Sequence, residues 1–191
     1  PWVYGNTLYY VLQYDIYQSE WDPATQTWSA PKPVPGAINT SANELNPAVV
    51  AGGKVMYFLR FNDVTNYDFY RSEWDEAAQA WGEPEKIEAW STPEQDWDVW
   101  VNEDETVAYL TTRASYAGGR SLGGRDVWKS VKVNGVWQTP THLGAPINSP
   151  SDEWSIFVGP DGEIYIDSNR PGGGGYDIYV AADEKSEPQR L

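Results

Sequence analysis

The chain has 191 residues, the length of one domain, and carries 11 Trp, 13 Tyr and 4 Phe beside 17 Gly, 14 Pro and a single Met; that mixture suits short pleated strands joined by turns and works against helices. Thirteen basic against 28 acidic residues give a net charge of −15, which opposes the phosphate neutralisation that binding DNA or RNA requires. No cysteine is present, so disulfides, thiolate metal sites and thiol nucleophiles are excluded, and no run approaches the roughly 20 apolar residues of a membrane-spanning helix.

In chain order the same unit recurs four times. The first unit, residues 1–35, has a strand-like run Trp2-Val3-Tyr4 closing on Gly5-Asn6, a second run Thr7 to Val11, the marker Asp15-Ile16-Tyr17, and Trp28 three residues before Pro31. Residues 44–90 repeat it with Ala48 to Gly53, Val55 to Leu59, Asp68-Phe69-Tyr70, and Trp81 before Pro84. Residues 96–143 follow with Val99 to Asp104, Thr106 to Leu110, Asp126-Val127-Trp128, and Trp137 before Pro140. The last unit, 153–191, has Ile156 to Gly162, Glu163 to Ile166 and Asp177-Ile178-Tyr179, with Lys185 to Pro188 as a degenerate ending. Successive markers lie 53, 58 and 51 residues apart. A period near 50 made of short strands and Gly or Asn turns predicts four-stranded antiparallel blades, strands A to D, and an all-β four-bladed β-propeller forming one domain over 1–191. The chain opens on a strand A and ends on a strand D, so closure is expected to rest on face packing of blade 1 against blade 4; a fragment of a larger ring is the alternative.

The stretch Ala145-Pro146-Ile147-Asn148-Ser149-Pro150, with Glu153-Trp154-Ser155, Gly159-Pro160-Asp161-Gly162, Ser168-Asn169-Arg170-Pro171 and Gly175 to Tyr179, resembles the WD40-like PD40 repeat of TolB-type propellers. Blade 2 matches through Ile38-Asn39-Thr40 and Asn43-Glu44, blade 3 diverges, and blade 1 matches only from strand A onward. The resemblance implies a bacterial, exported protein of the periplasm or extracellular space, and it leaves function open among partner binding, envelope roles and polysaccharide degradation.

Loops joining B to C and D to the next A share one face, and here they are the long ones: Arg60 to Tyr67, Arg113 to Arg125, Ser168 to Tyr176, and the inter-blade segments. Binding is expected on that face, near the central channel. Glu44, Asp96 and Glu153 occupy equivalent places at the start of strand A. They form either a carboxylate cluster for a cation, water or sugar hydroxyls, or a set of acceptors for backbone N–H groups of a neighbouring blade. Asp98, Asp152 and Ser155 add polarity that would suit Ca²⁺, without the spacing of a calcium loop; no cofactor is expected. Arg60, Arg113 and Arg170 follow strand B, with Gln13 at the blade 1 position, and either clamp an anionic or hydroxylated ligand or pair with those acids. Trp2, Tyr4, Asn46, Trp100, Trp154 and Asn169 complete the expected ligand-binding set, with the pocket placed between blades 1 and 4.

Aromatics that do not recur faithfully, Trp90, Trp97, Trp100 and Tyr116, are expected to serve a ligand, whereas Trp28, Trp81 and Trp137 recur and are assigned to packing between blades. The marker aspartates Asp15, Asp68, Asp126 and Asp177 are expected to cap turns, and Asp63 and Glu76 to sit in solvated loops. The single histidine, His142, falls in strand D, which leaves no material for a Ser-His-Asp triad or a His-ligated metal. Gly118-Gly119, Gly123-Gly124 and Gly172 to Gly175 are not followed by Lys-Ser/Thr or a helix, so they are expected as flexible turns rather than phosphate loops. The leading expectation is a monomeric, non-enzymatic module binding a glycan or a partner-protein segment. A carboxylate-based glycoside hydrolase or lyase, with no residue yet assigned to catalysis, and a purely structural envelope domain are the alternatives.

Overall fold

The computed structural model describes every residue except 63–65, 117, 118 and 120, with Asn62 described in its backbone alone. The expectations for Asp63 and Gly118 therefore lie outside the described residues. Among the described residues there is no α-helix, and none long and apolar enough to cross a membrane. The fold class is the expected one, all-β with four propeller blades. The chain divides into two compact units, residues 1–91 with 101–105, and residues 92–100 with 106–191.

In the first unit, β1 (Trp2–Tyr4), β2 (Thr7–Leu12) and β3 (Asp15–Asp22) form an antiparallel meander, followed by β4 (Thr27–Trp28) and β5 (Lys32–Pro33). The second blade repeats the order with β6 (Glu44–Val50), β7 (Val55–Asn62), β8 (Asn66–Asp75), β9 (Ala80–Trp81) and β10 (Glu85–Lys86). Ile16, Val34, Ile38, Val49, Met56, Phe58 and Trp81 make the core of this unit, with Trp2, Tyr4 and Tyr9 packed against it. Trp2 also donates Nε1–H to the Val49 carbonyl at 2.8 Å, so the first strand is tied to the second blade by an aromatic whose polar end is satisfied.

The second unit holds β11 (Asp96–Val101), β12 (Val107–Thr112), β13 (Asp126–Val133), β14 (Val136–Trp137) and β15 (Thr141–His142), then β16 (Glu153–Val158), β17 (Ile164–Ser168), β18 (Asp177–Ala181) and β19 (Gln189–Arg190). Its core is Tyr109, Val127, Ile147, Ile156, Ile164, Ile166 and Ala181. Ile38 and Ile147 are fully buried, although both stand in linkers, because each linker lies over the blade that precedes it.

Strand D is not one strand. In blades 1 to 3 the third strand pairs first with a two-residue piece carrying the recurring tryptophan and then with a second piece beyond the proline: β3 with β4 and β5, β8 with β9 and β10, β13 with β14 and β15. Pro31, Pro84 and Pro140 separate the pieces, as a residue without an N–H must interrupt a ladder. A serine of the third strand repairs two of the breaks, Ser72 Oγ donating to the Gly82 carbonyl at 2.8 Å and Ser130 Oγ to that of Gln138 at 2.6 Å.

The expectation that Trp28, Trp81 and Trp137 pack between blades needs correction at Trp28, whereas Trp81 does reach across, sharing a core with Ile16, Val34 and Ile38 of the preceding blade and linker. Trp28 is 42% exposed and meets Trp21 of its own blade at 5.2 Å, as Trp81 meets Trp74 at 5.4 Å, because each pair is directly opposite across the hairpin. Trp81 also meets an adjacent linker: the Pro35 carbonyl accepts its N–H at 3.1 Å and its carbonyl accepts that of Ala37 at 3.0 Å. Gly36 lies between, at φ +97°, and a Cβ there would fall 2.1 Å from the Trp81 carbonyl oxygen.

Candidate functional site

Two of the three strand-A acids are held by one repeated device. Glu44 receives the Thr40 hydroxyl at 2.7 Å, the Thr40 N–H at 3.2 Å and Arg60 Nε at 2.9 Å. Glu153 receives the Ser149 hydroxyl at 2.7 Å, the Ser149 N–H at 3.1 Å, the Ser168 hydroxyl at 3.1 Å and Arg170 Nη2 at 3.1 Å. Both acids are fully buried. One residue before each hydroxyl donor, Asn39 brackets Ile16 of the preceding blade, accepting its N–H at 2.8 Å and donating to its carbonyl at 2.9 Å, and Asn148 does the same to Val127 at 2.7 and 2.9 Å. The motif Ile-Asn-Thr/Ser is therefore a docking clip: the isoleucine fills the core, the asparagine satisfies a neighbouring strand end, and the hydroxyl fixes the acid. Glu153 keeps a raised pKa through burial, in spite of the Ser149 and Ser168 bonds and the Arg170 charge that pull it down.

Blade 3 departs from this pattern. Its linker, residues 88–95, has no such clip, and Asp96 instead accepts the Thr112 hydroxyl at 2.8 Å. The three arginines, expected at one repeat position, are not in register. Arg60 stands opposite Glu44, and the corresponding partners of the marker aspartates Asp126 and Asp177 are Thr112 and Ser168. Arg170 is two residues past Ser168, on the same side of an alternating chain, so its guanidinium returns to Glu153 and to the Ile147 carbonyl at 2.6 Å. Arg60 likewise reaches the Ile38 carbonyl at 2.7 Å. Arg113 is one residue past Thr112, on the opposite side, and is exposed. Gln13, one residue past the blade 1 equivalent Leu12, is also exposed, in a turn at φ 53°.

The expectations for the unrepeated aromatics divide. Trp90 and Tyr116, expected at a ligand, are buried: Trp90 against Tyr57 at 5.8 Å and Phe69 at 5.9 Å, Tyr116 against Trp128 at 5.1 Å. Trp90 stands in the linker that lacks the clip, packed on the marker residue Phe69 as Ile38 and Ile147 are clustered with the marker residues Ile16 and Val127. Trp100 lies against Tyr109 at 5.7 Å at the margin of the core. Tyr4 donates its hydroxyl to Glu103 at 3.0 Å, and Asn46 takes φ 50° where the β6–β7 register shifts.

Trp97 and Trp154 do come together, at 4.6 Å edge to face, and Tyr176 continues the row at 5.2 Å from Trp154. Tyr176 is 45% exposed and donates its hydroxyl to Asp152 Oδ2 at 3.1 Å. The Arg125 guanidinium carbon lies 4.4 Å from the Trp97 ring centre and 4.1 Å from that of Trp154. Asp152 Oδ1 accepts the Arg125 N–H at 2.8 Å, and Asn169 Oδ1 accepts that of Asp152 at 2.8 Å. Gly123 and Gly124, expected as a flexible turn, have a close-packing role, because a Cβ on Gly124 would meet Asp152 Oδ1 at 1.9 Å and one on Gly123 the Ser151 carbonyl oxygen at 1.8 Å. Beside Trp97, Asp98 lies on β11 with Oδ2 3.4 Å from the Ile156 N–H, and burial pushes its carboxyl up to about 7. Ser155 is half-buried on β16.

The marker aspartates have partners that the sequence reading missed. Strand D places a base opposite the marker's aromatic in three blades, Lys86 to Tyr70, His142 to Trp128 and Arg190 to Tyr179. Each base approaches the aspartate, at 3.0 Å in Lys86–Asp68, 3.1 Å in His142–Asp126 and 3.6 Å in Arg190–Asp177. Turn capping is seen at Asp126, which accepts the Leu122 N–H at 2.6 Å. Blade 1 has Pro33 at the basic position. Among the described residues no three His, Asp or Glu side chains converge in a way that would hold a metal ion.

No protein-family model matches the chain, and no curated protein sequence does. Solved structures do match. TolB from Acinetobacter baumannii, a β-propeller, aligns with a TM-score of 0.54 at 16% identity over 93% of this chain and 37% of that one. A gluconolactonase from Xanthomonas campestris, XC5397, gives 0.57 at 11% identity over 92% and 55%, and the Hadza microbial sialidase Hz136 gives 0.50 at 14% identity over 93% and 40%. The chain thus spans 37% to 55% of the length of these proteins. At such identities the likeness is one of fold, and the differing activities in those names carry no reaction over.

Proposed function

We propose that the chain is a non-catalytic carbohydrate-binding module whose glycan lies on the second unit along Trp97, Trp154 and Tyr176. The observation that carries this reading is the aromatic row itself. Its outer member is exposed, its inner members are half-buried, and carboxylate and guanidinium groups lie alongside. Aromatic faces take the apolar side of a sugar ring while adjacent polar groups take its hydroxyls. Glu153 and Arg170 serve this reading indirectly, by fixing the start of β16, from which Trp154 projects, and the linker before it. An address outside the cytoplasm belongs to the same proposal and is supported by the resemblance of the repeat to TolB-type propellers.

A glycan-array screen with product analysis tests the proposal. Binding without turnover, reduced at least tenfold by Tyr176→Ala, is the expected result, and silence across the array refutes it. One observation favours a second reading as a glycoside hydrolase or lyase: Asp98, with its carboxyl pushed up to about 7, has the protonation behaviour of a general acid near neutrality. Released sugar products that disappear with Asp98→Asn would establish that reading instead.

A further inference from the structure

Two indoles of the aromatic row enclose a guanidinium whose Nε–H is buried without a hydrogen-bond partner. Arg125 is 5% exposed, its Nε–H is buried with no hydrogen-bond partner, and its nearest carboxylate oxygen, Asp152 Oδ2, is 3.9 Å from Nη1, beyond hydrogen-bond reach. Asp152 spends its two oxygens on the Arg125 backbone N–H and the Tyr176 hydroxyl. Two indole faces stabilise the guanidinium charge without satisfying its N–H donors. Beside the strand end that bears Trp97 is Arg113, whose backbone N–H donates to the Gln95 carbonyl at 3.1 Å, two residues before Trp97; its side chain is exposed and has no hydrogen bond or ion pair among the described residues. The register explains why: Arg113 falls on the side of the chain that the clipped arginines avoid, and Asp96 is served by Thr112. Burial first, and then the charge of Arg113, lower the pKa of Arg125.

Resting on the carbohydrate reading, we propose that the ligand is an acidic glycan, its sugar carboxylate held by Arg113 at the surface and drawn inward by the field of Arg125, with its ring against Tyr176 and Trp154. A carboxylate accepts from guanidinium donors in a fork geometry, relieves the repulsion between the two arginines and is delivered to a chain whose net charge of −15 would otherwise turn anions away. Selectivity follows from the same charge. A neutral sugar can use the aromatic row but leaves the arginine pair uncompensated, whereas a uronic-acid sugar uses both.

The test is a titration of the full chain, by calorimetry at low and at physiological ionic strength, with uronic-acid oligosaccharides and with the same oligosaccharides after methyl esterification. The expected result is that the acidic forms bind at least tenfold more tightly than their esters, that this preference shrinks with added salt, and that Arg113→Gln abolishes it while leaving the thermal midpoint unchanged. Equal affinity for acid and ester overturns the acidic-glycan inference and leaves the carbohydrate reading standing. An acid preference that survives Arg113→Gln also overturns the inference, because the anion is then held elsewhere. Failure of both forms to bind, joined to silence on a neutral array, removes the carbohydrate reading and the inference together.

Discussion

Asn148→Ala is the most direct test of the docking clip. Asn148 is 2% exposed and Val127 fully buried. The amide accepts the Val127 N–H at 2.7 Å and donates to its carbonyl at 2.9 Å. The substitution deletes both bonds, at about 1 kcal/mol each, but its effects on the two backbone groups differ. The Val127 carbonyl keeps the Leu143 N–H at 3.3 Å. The N–H is left buried without an acceptor, which costs a further 1–2 kcal/mol or so. The expected loss is therefore about 3–4 kcal/mol. Asn39 provides the internal comparison, since it makes the same pair of bonds to Ile16, whose carbonyl likewise keeps the Val34 N–H at 3.1 Å. Asn39 is only half-buried, so water can replace the lost groups, and Asn39→Ala should cost about half as much. Urea denaturation followed by tryptophan fluorescence measures both, with each transition fitted separately because the chain has two compact units. A loss below about 1 kcal/mol for Asn148→Ala, or a larger loss for Asn39→Ala, would refute the argument that burial of a clipped strand end sets the energy.

Gly36→Ala should lower stability by about 2–4 kcal/mol in the same assay, because φ +97° strains any side chain and the new Cβ would meet backbone, the Trp81 carbonyl oxygen, which cannot rotate away; a change within about 0.5 kcal/mol would show that the linker does not need this approach. The raised pKa of Asp98 also makes stability depend on pH. The folded carboxyl binds its proton up to about pH 7 and the unfolded one releases it near its ordinary value of 3.8, so stability should fall as pH rises between those limits and level off above 7. Asp98→Asn should flatten that dependence in thermal melts from pH 4.5 to 8, and an unchanged slope would mean the proton is held elsewhere.

The blades were legible in the sequence because a propeller blade states itself several times over. Alternating strands, a turn between A and B and the Asp-x-aromatic marker recur at nearly constant spacing, so each copy supports the assignment of the others. Trp28, Trp81 and Trp137 recur just as faithfully, yet recurrence fixed only their place in the blade. Their packing within the blade depends on the residue across the hairpin, Trp21 for Trp28, Trp74 for Trp81 and Lys132 for Trp137, and pairing across a broken strand D cannot be read until Pro31, Pro84 and Pro140 are recognised as interruptions within it. The basic partners of the marker aspartates were hidden for a related reason: Lys86, His142 and Arg190 share a register position but are three different side-chain types.

The candidate site was harder to read because its residues lie where the repeat fails, and failures have no template. Arg60, Arg113 and Arg170 look equivalent when aligned by eye, each near the end of strand B, but their offsets from the residue facing the strand-A acid or marker aspartate are zero, one and two. Side chains on an extended chain alternate between faces, so an offset of two preserves the direction of the side chain and an offset of one reverses it. Arg60 and Arg170 consequently enter buried acids and linker carbonyls, and their charge is consumed in bracing. Arg113 is turned outward and stays available. A single-residue slip thus separates a cation spent on bracing from the exposed one to which the proposal gives the ligand. It also predicts that moving Arg113 one place back, by exchanging Thr112 and Arg113, would carry its guanidinium toward Asp96 and remove the preference for an acidic ligand while the aromatic row remained in place.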